Sequence, residues 1–119
     1  MADRSLSEQL RLSAEVVEQN LAHGDQVRAP RPIDHTAGFR SRAVATAAGA
    51  ELTAAGYRVD GLYRRMLTVW LEFSAMTAVD HDTAAAFTRE VVAIVGRHGG
   101  HYDGWGGFLV PPEETSSTS

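Results

Sequence analysis

The chain has 119 residues, of which 44% are hydrophobic and 22% charged, with a formal net charge of −4 and no cysteine. That length suits one domain with a single core, and the composition is that of an ordinary globular protein rather than a disordered or fibrous one. Missing thiols exclude a disulfide framework, a thiolate nucleophile and a cysteine-based zinc site.

The amino terminus carries Asp3, Glu8, Glu15 and Glu18 and lacks the basic-then-apolar order of a secretory signal, so a cytoplasmic location without membrane attachment is expected. A helix is expected from about Leu6 to Ala22, where Leu6, Leu10, Ala14, Val17 and Leu21 form an apolar stripe. Ser5 or Ser7 caps its start and Gly24 ends it. Asp25 to Pro32 reads as a polar connector because its prolines disfavour both helix and central strand.

Ile33 to Gly38 alternates weakly and reads as a first strand, although its residues have little strand propensity. From Arg40 to Ala55 an alanine-rich helix places Val44, Ala48, Leu52 and Ala55 on one face, and Gly56 stops it. A second strand begins with Tyr57 and Val59; Asp60-Gly61 is either part of it or a tight turn. Leu67, Val69, Leu71 and Phe73 alternate with Thr68, Trp70 and Glu72, the clearest strand in the chain, with its aliphatic side inward and Trp70 outward. Asp80 or Asp82 caps a helix through about His98 that buries Ala84, Phe87, Val91, Ile94 and Val95. Tyr102 to Val110 reads as a bent edge strand leading into Pro111-Pro112.

Beyond the first helix the order is strand, helix, strand, strand, helix, strand. The expected fold is therefore α+β, a ferredoxin-like βαββαβ antiparallel sheet with an additional N-terminal helix and the strands of Ile33 and Leu67 in the centre. One domain is expected over residues 6–110, with a flexible start at 1–5 and a disordered tail at 111–119. Both crossover helices lie on one face. The other face is left for the N-terminal helix, a partner or a second copy of the chain, so a homodimer is one expectation.

Among residues that carry chemistry, His98, His101 and Asp103 lie close together in sequence and could act as acid and base in a hydrolase or nuclease. Helix capping and surface roles suffice to account for them and are the stronger reading, since no nucleophile or anion-stabilising motif accompanies them. His35, His81, His98, His101 and Asp103 match no metal-ligand spacing, so no metal and no cofactor is expected. All eleven basic residues are arginine. Arg28, Arg31, Arg40 and Arg42 flank the first strand, yet the acidic balance argues against direct nucleic-acid binding.

Tyr102 and Trp105 are large aromatics beside glycines. Glycine leaves room for another backbone, so Trp105 either anchors a partner or packs inward with the glycines relieving strain. Asp103 either caps the turn or meets a partner.

The segment His98-Gly99-Gly100-His101-Tyr102-Asp103-Gly104-Trp105-Gly106, after an amphipathic helix, resembles the regulator of ribonuclease activity B family, the ribonuclease E inhibitors. Ile33-Asp34-His35, Ala54-Ala55-Gly56-Tyr57-Arg58-Val59 and the acidic N-terminal helix extend the resemblance over about residues 6–110. Thr36-Ala37 stand where bulkier apolar residues are usual, and Glu113-Glu114 precede Ser and Thr where family inhibitors are acidic. The resemblance implies a ferredoxin-like domain without catalytic activity, which in some members binds ribonuclease E and reduces RNA turnover. A protein partner is accordingly expected at Tyr102, Asp103, Gly104, Trp105, His101 and Trp70.

Overall fold

The computed structural model describes residues 5–112, so residues 113–119 of the expected tail and most of the expected flexible start lie outside the described residues. The elements run α1 (Leu6–Ala22), β1 (Arg31–Phe39), α2 (Arg42–Ala54), β2 (Arg58–Arg65), β3 (Thr68–Thr77), α3 (His81–Arg97) and β4 (His101–Gly106). The strands form one antiparallel sheet in the order β2-β3-β1-β4, with β1 and β3 central as expected for a ferredoxin-like fold.

Each helix starts on a side-chain cap. Ser5 accepts from the Glu8 amide, Ser41 from Val44 and Asp80 from Thr83, which satisfies one otherwise orphaned N–H in each first turn. α3 buries all five residues of its expected inner face, together with Thr88. α2 buries Ala48 and Leu52 as expected, with Ala45 and Gly49 beside them, whereas Val44 is half-buried and Ala55 exposed. These small side chains let the helix lie close to the sheet: a methyl on Gly49 would sit 3.3 Å from Val59.

The connector is shorter than expected, because β1 takes in Arg31 and Pro32 and has nine residues. Its weak strand propensity is overridden by position. Paired on both sides, it gains ladder hydrogen bonds along its length and inserts Ile33, His35, Ala37 and Phe39 into the core. Asp60-Gly61 lies within β2, with Asp60 the extra residue of a bulge between Val59 and Gly61; the turn is Met66-Leu67 instead.

The sheet has two unlike faces. Alternate residues of β1 and β3, including Ile33, Ala37, Val69, Leu71 and Phe73, are buried against the helices. Their neighbours, including Asp34, Thr36, Trp70, Glu72 and Met76, face the other way. α1 does not cover this second face. It packs on α3 and β4, and no described element lies over the open side.

The buried face of α1 also differs from its apolar stripe. Gln9, Ser13 and Val17 are buried, whereas Leu6 and Leu21 are exposed. Gln9 donates to the Tyr102 carbonyl at 2.8 Å, and Ser13 accepts from Thr88 at 3.3 Å. Two polar side chains therefore face inward because β4 and α3 offer them partners.

Candidate functional site

The aromatic segment of β4 is divided between the two sides of the sheet. Tyr102 pairs with Ala37 and Trp105 with His35, both on the helix side, while His101 pairs with Gly38 and Gly104 with Thr36 on the open side. The ladder shifts between Thr36 and Ala37, and Asp103 is the extra residue of the resulting bulge. Gly104 supports that bend with φ 109, a backbone state that a side chain disfavours.

Tyr102 is therefore not a surface residue: it is 5% exposed. Its hydroxyl shares a 2.6 Å hydrogen bond with Nδ1 of His35, a ring stacked on Phe73 and met edge-on by Tyr57 and Phe87. Burial raises the Tyr102 hydroxyl pKa well above its ordinary value, so the phenol keeps its proton. Burial also lowers the His35 pKa to about 4, so the imidazole is neutral at pH 7. Nε2 of His35 has no hydrogen-bond partner among the described residues.

Trp105 likewise turns inward, half-buried. Its indole N–H donates to Ser13 Oγ at 3.1 Å, and its ring meets Phe87 edge-on with centroids 5.2 Å apart. It joins two core clusters, the larger one under α2 and α3 and a smaller one of Val17, Ile33, Val79, Ala84 and Phe87. Tyr102 and Trp105 thus hold β4 and α1 to the sheet, with Tyr102 buried and Trp105 half-buried on the helix side. Truncating a fully buried Trp costs about 3–5 kcal/mol; for half-buried Trp105→Ala we expect a loss of about 2 kcal/mol. Exposed Asp103→Ala should stay within about 0.5 kcal/mol of the parent in the same urea titration. Equal stability of both variants and the parent would contradict this placement.

The remaining expected residues meet on the open side. Trp70 and His101 are half-buried there, their rings edge to face with centroids 5.4 Å apart. Gly38, between them on β1, makes the contact possible: a methyl at this position would lie 2.7 Å from the His101 ring and 2.9 Å from Thr68. Tyr63 pairs with Trp70 across β2 and β3 and is 41% exposed. The register therefore sets Tyr63, Trp70 and His101 in one transverse row across the sheet, with Asp103 and Gly104 at the β4 edge. The sequence does not single out Tyr63 as a contact residue. Only the bulge at Asp60 brings it into the open-face register.

The acid–base arrangement does not assemble. His98 turns toward α2 and bonds Glu51 Oε1 at 2.8 Å, while His101 lies against Trp70 on the opposite side of the sheet. His81 pairs with Glu18 at 2.6 Å. Among the described residues no group of three or more His, Asp or Glu could hold a metal ion, and no helix is long and apolar enough to cross a membrane.

The family model described as regulator of ribonuclease activity B matches residues 11–107. That span includes both central strands, α2, α3 and all of β4. No curated protein matches the chain.

Proposed function

Because the chain belongs to the regulator of ribonuclease activity B family, we propose that it is a non-enzymatic regulator that binds an endoribonuclease of the ribonuclease E type and slows RNA turnover. The contact is made by the open sheet face, through Trp70 and His101 with Asp103 and Gly104 beside them. Tyr102 and Trp105 serve that surface from behind by fixing the path of β4.

The observation that carries this reading is the transverse row Tyr63, Trp70 and His101 on a sheet face over which no described element packs. Aromatic rings held on the open face of a rigid sheet offer contact area at little cost in side-chain entropy, the property of interface anchors. The separation of His98 from His101 weighs on the same side, since it leaves the candidate catalytic groups without a shared site.

Titration calorimetry against a purified ribonuclease E-type enzyme tests this. The parent should bind and slow RNA cleavage at stoichiometric ratios. Trp70→Ala should lose roughly tenfold or more in affinity while keeping its circular-dichroism spectrum. Undiminished binding by Trp70→Ala would remove the open face from the contact. RNA cleavage by the purified protein alone would overturn the non-enzymatic reading.

A further inference from the structure

The connection between β2 and β3 is a two-residue turn, Met66-Leu67, closed by the pair Arg65 and Thr68. Tight hairpins of this kind favour Asn or Gly because they require positive φ. Met66 instead adopts φ 58 and is the one described non-glycine residue with positive φ. For a side chain of its size that conformation costs about 1 kcal/mol. Both residues are 87% exposed, more than any other large hydrophobic side chain described. Strain and apolar exposure thus coincide in a turn with positive φ at its first central residue only, where Gly-Asn would relieve both, and the packing of the domain uses neither side chain.

Charge surrounds the tip. Arg64 and Arg65 precede it on β2, and because Phe39 pairs with Val69, Arg40 and Arg42 leave β1 at the same end of the sheet. All four are exposed, and none forms an ion pair among the described residues. Other arginines, such as Arg11, Arg31, Arg58 and Arg97, do have carboxylate partners. The tip is also continuous with the open face, since Tyr63 and Trp70 form the next row on the same face, beyond the pair Arg64 and Val69.

We propose that Met66-Leu67 is a preformed anchor that enters an apolar pocket rimmed by carboxylates on the partner protein. The inference rests on the proposed function and names where and how that partner is held. The turn holds the two side chains outward before contact, so little ordering remains to be done on binding. The arginine collar attracts the acidic rim and orients the approach. A protein pocket fits this geometry better than a lipid surface. Two side chains give only marginal burial in a bilayer, whereas a pocket can desolvate them fully and the aromatic row behind them adds a second, flat contact.

Calorimetric titration of the full chain against the same purified ribonuclease compares the parent with Met66→Gly/Leu67→Asn, Leu67→Ser and Arg64→Ala/Arg65→Ala. The double turn variant relieves the positive φ at position 66, so it should melt at or above the parent's temperature while losing roughly tenfold or more in affinity. Leu67→Ser changes one exposed side chain and should show a smaller loss. The arginine variant should flatten the fall of affinity with salt. Equal affinity of the double turn variant and the parent would overturn the anchor and leave the proposed function standing. No binding by the parent would overturn both. Parent binding to phosphatidylglycerol vesicles that the double turn variant lacks, with affinity for the ribonuclease unchanged, would assign the tip to a membrane and refute the protein pocket.

Discussion

Replacing Asp25 with Ala should lower the unfolding free energy by about 3–5 kcal/mol, because it leaves the Arg31 guanidinium charged and unpaired inside the protein. The Arg31 side chain is 1% exposed and that of Asp25 0%. Arg31 Nη1 donates to the two Asp25 oxygens at 3.0 and 2.7 Å. The same guanidinium donates to the carbonyls of Gln26, Ala29 and Phe108. Asp25 in turn accepts from Asn20 and from the Val110 amide at 2.7 Å. The pair therefore ties together the end of α1, the connector, the first residue of β1 and the segment after β4.

Burial opposes ionisation of Asp25, but hydrogen bonds from Arg31 and the Val110 amide outweigh it and hold the carboxyl below its ordinary pKa. A depressed carboxyl pKa contributes stability that is complete above the unfolded value, about 3.9, and is lost as pH falls below it. Urea titration at pH 7 measures the mutational effect directly. A loss below about 1 kcal/mol would show that the remaining groups take over the guanidinium's hydrogen bonds.

The second large effect is sensitivity to mild acid. His35 titrates near 4 in the folded chain and near its ordinary value of 6.5 when unfolded, so the unfolded chain binds the proton more readily. Stability is then complete above about pH 6.5, falls as pH drops toward 4, and levels off below. A difference of that size corresponds to about 3 kcal/mol over the window. His35→Gln, which keeps a polar side chain without titrating there, should remove this contribution. Urea titrations at pH 7, 5.5 and 4.5 decide it. Equal pH slopes for parent and variant would mean that His35 does not carry the acid sensitivity.

The elements whose local signals agree with their tertiary setting were legible in the sequence. α3 has a cap, an uninterrupted inner stripe and a glycine stop, and the structure buries the expected residues. β3 alternates clearly, and Val69, Leu71 and Phe73 are buried while Trp70 is turned outward. β1 is harder, since Asp34, Ala37 and Gly38 carry no strand signal of their own. Its two neighbours make it a strand. The Asp25–Arg31 pair was not legible at all. The sequence groups Arg31 with the other arginines that flank the first strand, because its type and the nearby prolines say nothing of the closed cage formed with Phe108 and Val110.

For the Tyr102-Asp103-Gly104-Trp105 segment, the sequence by itself determined its placement at the end of a βαββαβ order and its likeness to one family. Only the tertiary structure decided which way its side chains point. In a regular strand Tyr102 and Trp105, three positions apart, would lie on opposite faces, because successive side chains alternate. The extra residue at Asp103, supported by the positive φ of Gly104, shifts the register and brings both aromatics to the helix side. There His35 and Ser13 meet their polar atoms, and His101 alone is left to join Trp70 on the open face. A bulge is a property of two strands paired together, so local sequence proposes it and only the partner strand enforces it.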